Sequence, residues 1–159
     1  MTKSEHRGLL KISLARKKSN NFSSWYKSSR PSYANLSHSS DLAELYGTML
    51  GDGCIEKFPR TEKLVVSFNA NELEHIRNIE NLVERIFKKT PKTKRRTTSN
   101  CTDVYLYQKN ISSRLRFPTG RKLDHKLLIP SWIKTKKKHL ILCLKGLFET
   151  DGDWVIDNK

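Results

Sequence analysis

Two nine-residue segments of this chain align without a gap. Leu45-Tyr46-Gly47-Thr48-Met49-Leu50-Gly51-Asp52-Gly53 and Leu144-Lys145-Gly146-Leu147-Phe148-Glu149-Thr150-Asp151-Gly152 share Leu, Gly, Asp and Gly at the first, third, eighth and ninth places. Asp52 and Asp151 stand 99 residues apart. Each segment reads as an apolar helix with small residues on one face, Gly47 and Gly51 in the first and Gly146 and Thr150 in the second. Small residues four apart let two helix backbones approach closely. Each ends in Asp-Gly, where a glycine lets the chain turn sharply out of the helix. A helix C-terminus carries partial negative charge and favours cations, so an acid placed there needs compensation. If the helices pack side by side, Asp52 and Asp151 meet at one end and repel each other. A divalent cation removes that penalty. Hard oxygen ligands beside a phosphodiester suit Mg²⁺-assisted hydrolysis, by charge neutralisation, activation of a water and stabilisation of the leaving oxygen.

The charge balance points the same way. The 159 residues carry 31 Lys and Arg against 16 Asp and Glu, a formal charge of +15. So much like charge destabilises a compact chain unless an anionic partner neutralises it, and nucleic acid is the expected one. No run approaches the roughly 18 apolar residues of a membrane span. Leu9-Leu10 is followed at once by Lys11, so no secretory signal is expected. The expected location is the cytoplasm, at the nucleoid, or an organelle. Cys54, Cys101 and Cys143 are widely spaced and odd in number. They read as small buried residues in a reducing compartment, not as metal ligands.

Residues 1–40 are expected to form a flexible basic arm: eight Lys or Arg, one acid and eleven Ser, with Trp25, Tyr26 and Tyr33 placed to stack at a phosphate surface. Residues 41–135 read as one folded unit. Asp41 and Glu44 have N-cap and N3 spacing before the first motif helix. Strands follow at Cys54–Phe58 and Lys63–Ala70, the second alternating Leu64, Val66 and Phe68 against Val65, Ser67 and Asn69. Asn71 with Glu74 starts a second helix, carrying an apolar stripe from Leu73 to Phe87. Lys92–Thr98 and Thr102–Lys109 form a hairpin, 110–116 a short helix, 117–130 a loop and Ser131–Ile133 a helical turn. Residues 136–159 hold the second motif helix, Lys136 to Asp151, and the start of a further subdomain. The class is α+β, with helices on one face of an antiparallel sheet.

The other sheet face is then open. It is expected to present Ser67, Asn69, Lys92, Lys94, Arg96, Tyr105 and Tyr107, with Arg95 and Lys109 alongside. Six cations lie between Lys88 and Arg96. A polar, basic, twisted sheet can enter the major groove and read base edges. If Lys94 and Arg96 touch phosphate, replacing either by Ala weakens binding and lowers the salt slope by about one.

Both nonamers resemble the signature of the LAGLIDADG homing endonucleases, the second more closely, and the spacing and αββαββα order between them resemble the two-motif, single-chain form over residues 41–157. The resemblance implies a Mg²⁺-dependent, sequence-specific, double-strand DNA endonuclease whose sheets saddle the major groove, with no small-molecule cofactor. It implies metal binding by Asp52 and Asp151, with the Gly51 and Thr150 carbonyls in the same shell. It also implies that Asn69 helps order the catalytic water. Double-stranded DNA is the expected partner. A second reading is a non-cleaving relative, such as an intron maturase that binds intron RNA or a DNA-binding regulator. In the two-motif form a second αββαββ half follows the second motif, and here only eight residues follow Asp151. The chain is therefore expected to be incomplete at its C-terminus.

Overall fold

A computed structural model of the chain describes residues 36–151; the arm expected over 1–40 lies outside them except for its last five residues. Those belong to the folded unit. Leu36 packs against the core. The His38 ring stacks on Trp132 at 4.4 Å with the planes 2° apart.

Ser39 caps the first helix, α1 (Ser40–Leu50), its hydroxyl accepting from the Leu42 N–H at 3.1 Å. This replaces the Asp41–Glu44 box expected from the sequence. Three adjacent residues, Ser39, Ser40 and Asp41, could each serve as cap. The two acids are used elsewhere. Asp41 pairs with Arg85 at 2.8 Å, and Glu44 with Lys145 at 2.7 Å.

The sheet is four-stranded and antiparallel, in the order β1-β2-β4-β3. Its strands are β1 (Gly53–Lys57), β2 (Glu62–Asn69), β3 (Lys92–Arg95) and β4 (Cys101–Gln108). Between β2 and β3 runs α2 (Leu73–Phe87), which buries Ile76, Ile79, Leu82, Val83 and Phe87. Its stripe begins at Ile76, since Leu73 is exposed, and Glu72 stands at its N-cap without a side-chain capping bond. After β4 come α3 (Ile111–Leu115), a 3₁₀ turn at Lys122–Asp124, α4 (Ser131–Lys134) and α5 (Lys137–Asp151).

Alternation along the strands sends Ile55, Leu64, Val66, Phe68, Val104 and Leu106 into one core with α1, α2 and the buried Ile111, Phe117, Ile133 and Cys143. The fold is thus α+β, with its helices gathered on one sheet face, as the pattern of elements implies. Around the loop after α3, Tyr46 donates to the Leu128 carbonyl at 3.2 Å and meets Phe117 edge to face. These contacts bring residues 117–130 back across α1.

Candidate catalytic end and nucleic-acid interface

The two motif helices, α1 and α5, cross at their glycines. A Cβ on Gly47 would overlap the Cys143 carbonyl and lie 3.0 Å from the Leu147 nitrogen. A Cβ on Gly146 would overlap the Glu44 carbonyl and lie 2.9 Å from the Thr48 nitrogen. The two sets of contacts are the same in motif terms. The third place of each helix touches the residue before the first place, and the fourth place, of the other. Such reciprocity is the signature of a two-fold relation between two copies of one surface. Lys145 to Glu44 and, at 3.6 Å, to Glu149 completes the polar rim of the crossing. Hydrogen bonding to Glu44 pushes the Lys145 ammonium above its ordinary value.

The acids follow from this crossing. The eighth motif place lies five residues past the third, about 7.5 Å along a helix. On α1, the Gly51 N–H closes on the Gly47 carbonyl at 3.2 Å, and Asp52 stands exposed in the turn before β1. On α5, Thr150 bonds the Gly146 and Leu147 carbonyls at 3.0 and 3.1 Å through its hydroxyl. Asp151 is the last helical residue, and its side chain is outside the described part. Among the described residues no cluster of three or more His, Cys, Asp or Glu side chains is present. A cation there would be held by carboxylates, carbonyls and water. That donor set suits Mg²⁺, which keeps several waters and takes one or two carboxylates plus substrate phosphate.

One residue at this end escaped the sequence reading. The Lys122 ammonium donates to the Leu50 carbonyl at 2.9 Å, which puts a cation at the negative end of α1, two residues from Asp52. The Gly120 N–H, bonded to the Ile55 carbonyl at 2.9 Å, docks its loop on β1. No local pattern marks Lys122, since the contact spans 72 residues.

Asn69 lies at the same end of the sheet. Gly53 pairs with Val66, and Asn69 is three residues further, about 10 Å along β2. Its Oδ1 accepts from the Asn71 N–H at 3.1 Å and from Asn100 Nδ2 at 3.0 Å. The carboxamide therefore ties the turn after β2 to the β3–β4 turn.

The strand register fixes the open face. Ser67 pairs with Asp103 and Val65 with Tyr105 across β2–β4, while Lys92 pairs with Tyr105 and Lys94 with Asp103 across β3–β4. Ser67, Asn69, Lys92, Lys94, Tyr105 and Tyr107 thus share this face, as expected. Lys63 joins them, and its odd-numbered place beside Val65 and Ser67 would have identified it. Arg95 does not join them: it pairs with Thr102, whose side is the helix side, and donates to Asn100 Oδ1 at 3.2 Å. The side chain of Thr93, on that same side, bonds Glu80 of α2. Lys109 is exposed in the turn after β4. The face forms a groove of about 420 Å³ lined by Lys63, Lys94, Arg96, Thr97, Thr98, Asp103, Tyr105 and Tyr107. Tyr105 and Tyr107 meet edge to face at 5.8 Å, and the Lys63 ammonium stands 5.5 Å above the Tyr105 ring.

Arg96 lies one residue past β3, and its N–H bonds the Cys101 carbonyl at 2.9 Å. Its guanidinium reaches Asp103 through Nε and Nη2, at 2.9 and 2.7 Å. Ser67 donates to the same carboxylate at 2.7 Å and accepts from Arg96 Nη2 at 2.9 Å. Burial works to raise the Asp103 pKa, but the hydrogen bonds from Arg96 and Ser67 and the Arg96 charge outweigh it and hold the carboxyl below its ordinary value.

No family model matches the chain, and no curated protein matches it. Among solved structures, a crystal structure of an I-DmoI variant in complex with its target DNA, nicked in the coding strand and in the presence of 2 mM Mn, is similar with a TM-score of 0.50 and 16% sequence identity, over 72% of this chain and 62% of that one. A structure of a mesophilic variant of the homing endonuclease I-DmoI is similar over the same shares, with 15% identity and a TM-score of 0.47. The chain spans less than two thirds of the length of these proteins. At such identity the likeness establishes the fold, an α+β unit with a four-stranded antiparallel sheet like the half-domain of a homing endonuclease.

Proposed function

We propose that this chain, with its αββαββ unit and second motif helix, acts as a divalent-metal-dependent, sequence-specific, double-strand DNA endonuclease of the homing type. The observation that carries the reading is the reciprocal crossing of α1 and α5 at Gly47 and Gly146. Two unrelated helices have no reason to meet through the same places of the same nonamer. A shared function at the eighth place gives them one. I-DmoI in complex with its target DNA, with Mn present, has a similar fold.

In this reading the open sheet face lies against a DNA duplex, and Lys92 and Lys94 neutralise phosphates along it. Asp52 and Asp151, with the Gly51 and Thr150 carbonyls, form the oxygen ligand set. A divalent cation, when bound there, neutralises charge on the scissile phosphate and lowers the pKa of a water. Lys122, held at the end of α1 by the Leu50 carbonyl, offers its remaining N–H donors to a phosphate oxygen beside Asp52. Asn69, with its Oδ1 engaged, contributes through Nδ2 to the order of water at the same end.

The test is cleavage of a duplex library with Mg²⁺ or Mn²⁺, read as new double-strand ends. Asp52→Asn should lower cutting by on the order of 100-fold or more, the scale of losing one preorganised charge-stabilising group, with duplex binding retained. Salt-sensitive binding with no site ever cut would reject the enzyme and leave a non-cleaving DNA-binding protein.

A further inference from the structure

We propose that Arg96, braced by Asp103 and Ser67, is a base-reading side chain that selects guanine in the major groove and is not a phosphate contact. The inference rests on reading the open sheet face as a duplex platform, and it assigns one specificity-determining residue on it.

Three observations carry it. First, the guanidinium is already paired. Two of its nitrogens bond one carboxylate, and Nη2 also bonds Ser67. A cation meant to neutralise phosphate gains nothing from a carboxylate partner, which cancels the charge that counterion release depends on. Lys92 and Lys94, on the same face, have no such partner among the described ion pairs, which are made by other residues.

Second, the brace fixes the orientation. Asp103 is itself bonded by Ser67 at 2.7 Å. Its side chain is only 16% exposed against 45% for Arg96, so the acid lies recessed and the guanidinium stands outward. Arginine has five N–H donors in a rigid fork. The contacts with Asp103 and Ser67 leave the two donors of Nη1 unused. A guanidinium held from behind loses little further freedom when its outer edge meets a base.

Third, the outer edge fits one base best. Guanine alone presents two neighbouring acceptors, O6 and N7, in the major groove, whereas adenine places an amino donor beside N7. The end of the fork, Nη1 together with the Nη2 donor that Ser67 accepts, aims two parallel N–H bonds at O6 and N7 when the base takes the place of the Ser67 hydroxyl, and so is matched to guanine. The Asp103 carboxylate beneath it repels phosphate oxygens and keeps the DNA backbone away from this spot. Lys63, Lys94, Tyr105 and Tyr107 form the walls of the groove in which the pair sits.

The experiment uses the whole chain in Ca²⁺ buffer. Binding to a random-sequence duplex is measured across a salt series, and bound duplexes are selected from a randomised library and sequenced. The wild-type chain should enrich a guanine at one position by roughly 5- to 150-fold over the other bases. Arg96→Ala should lose that preference and leave the salt slope on random duplex unchanged. Asp103→Asn frees the guanidinium for phosphate. It should tighten binding to random duplex, steepen the slope by about 0.9 and weaken the guanine preference. Lys94→Ala is the control and should make the slope shallower by about 0.9 with sequence preference kept. If Arg96→Ala changes the slope as Lys94→Ala does, or leaves every enriched guanine in place, the inference falls while the platform stands. If the chain binds no duplex, or the slope ignores Lys94, the platform and the inference fall together.

Discussion

At the residue scale, the side chain with the most to say is Asp103. In a chain of charge +15, an acid in the middle of the open sheet face works against anion binding unless it is spent on something else. Here it holds Arg96 and accepts from Ser67. The same bonds keep its carboxyl below the ordinary 3.8, and the consequence for stability has a definite sign. A carboxyl whose folded pKa is depressed contributes stability that is fully present above its unfolded value and is lost as pH falls through the folded one. Removing the partner should therefore hurt most above about pH 4. In urea melts from pH 7 to pH 2, Arg96→Ala should destabilise the fold at neutral pH, and the gap to wild type should close below pH 4. A gap that stays constant down to pH 2 would mean that the ion pair adds nothing to the folded state. None of this was legible before the register was known. Arg96 and Asp103 are separate letters until β3 and β4 pair with Lys94 opposite Asp103.

At the scale of elements, α1 and α5 are the same motif in two environments. Counting from the first motif place, Leu42, Leu45 and Met49 correspond to Ile141, Leu144 and Phe148. The first three are buried under the sheet, at 5%, 0% and 0% exposure, while the second three are 54%, 37% and 57% exposed. Both sets lie at helical spacing, and the two helices touch through reciprocal glycines. The difference lies only in what covers them. Truncating a fully buried leucine costs about 2–5 kcal/mol, whereas surface substitutions mostly fall within about 0.5 kcal/mol. Leu45→Ala should accordingly lower unfolding stability by about 2–5 kcal/mol, and Leu144→Ala, at the matching place, by less than about 1 kcal/mol. Equal losses at the two places would mean that the α5 stripe is covered in solution. The helices were readable because period and small residues are local signals. Their caps were less so. Asp41 and Glu44 have cap spacing, yet Ser39 caps α1 while the two acids pair with Arg85 and Lys145, 44 and 101 residues away. The hairpin strand expected over Lys92–Thr98 is shorter in the structure, Lys92–Arg95. Lys92–Thr98 is polar throughout and carries no period that would mark a strand end; pairing stops at Arg95, and the Arg96 N–H already bonds the Cys101 carbonyl.

At the scale of the whole molecule, the excess of 31 cations over 16 acids should act in opposite directions on folding and on binding. Within the fold, like charges repel, and the described ion pairs engage only a few of them. Raising the ionic strength shortens the Debye length from about 10 Å at 0.1 M to about 3 Å at 1 M, which relieves repulsion between surface cations while leaving the apolar core of α1, α2 and the sheet untouched. Added NaCl should therefore raise the urea midpoint of the free chain. The same salt competes with the protein for phosphate. Each neutralised phosphate makes the logarithm of affinity fall by about 0.9 per decade of salt, and Lys92 and Lys94 alone supply two candidates on the open face. The two responses can be measured on one sample series from 50 to 500 mM NaCl, by urea melts and by duplex titration. A midpoint that rises while affinity drops identifies the surplus charge as held for a polyanion at the expense of the free fold. A midpoint that falls with salt would show that the existing ion pairs outweigh the repulsion, and would remove the charge argument for a nucleic-acid partner.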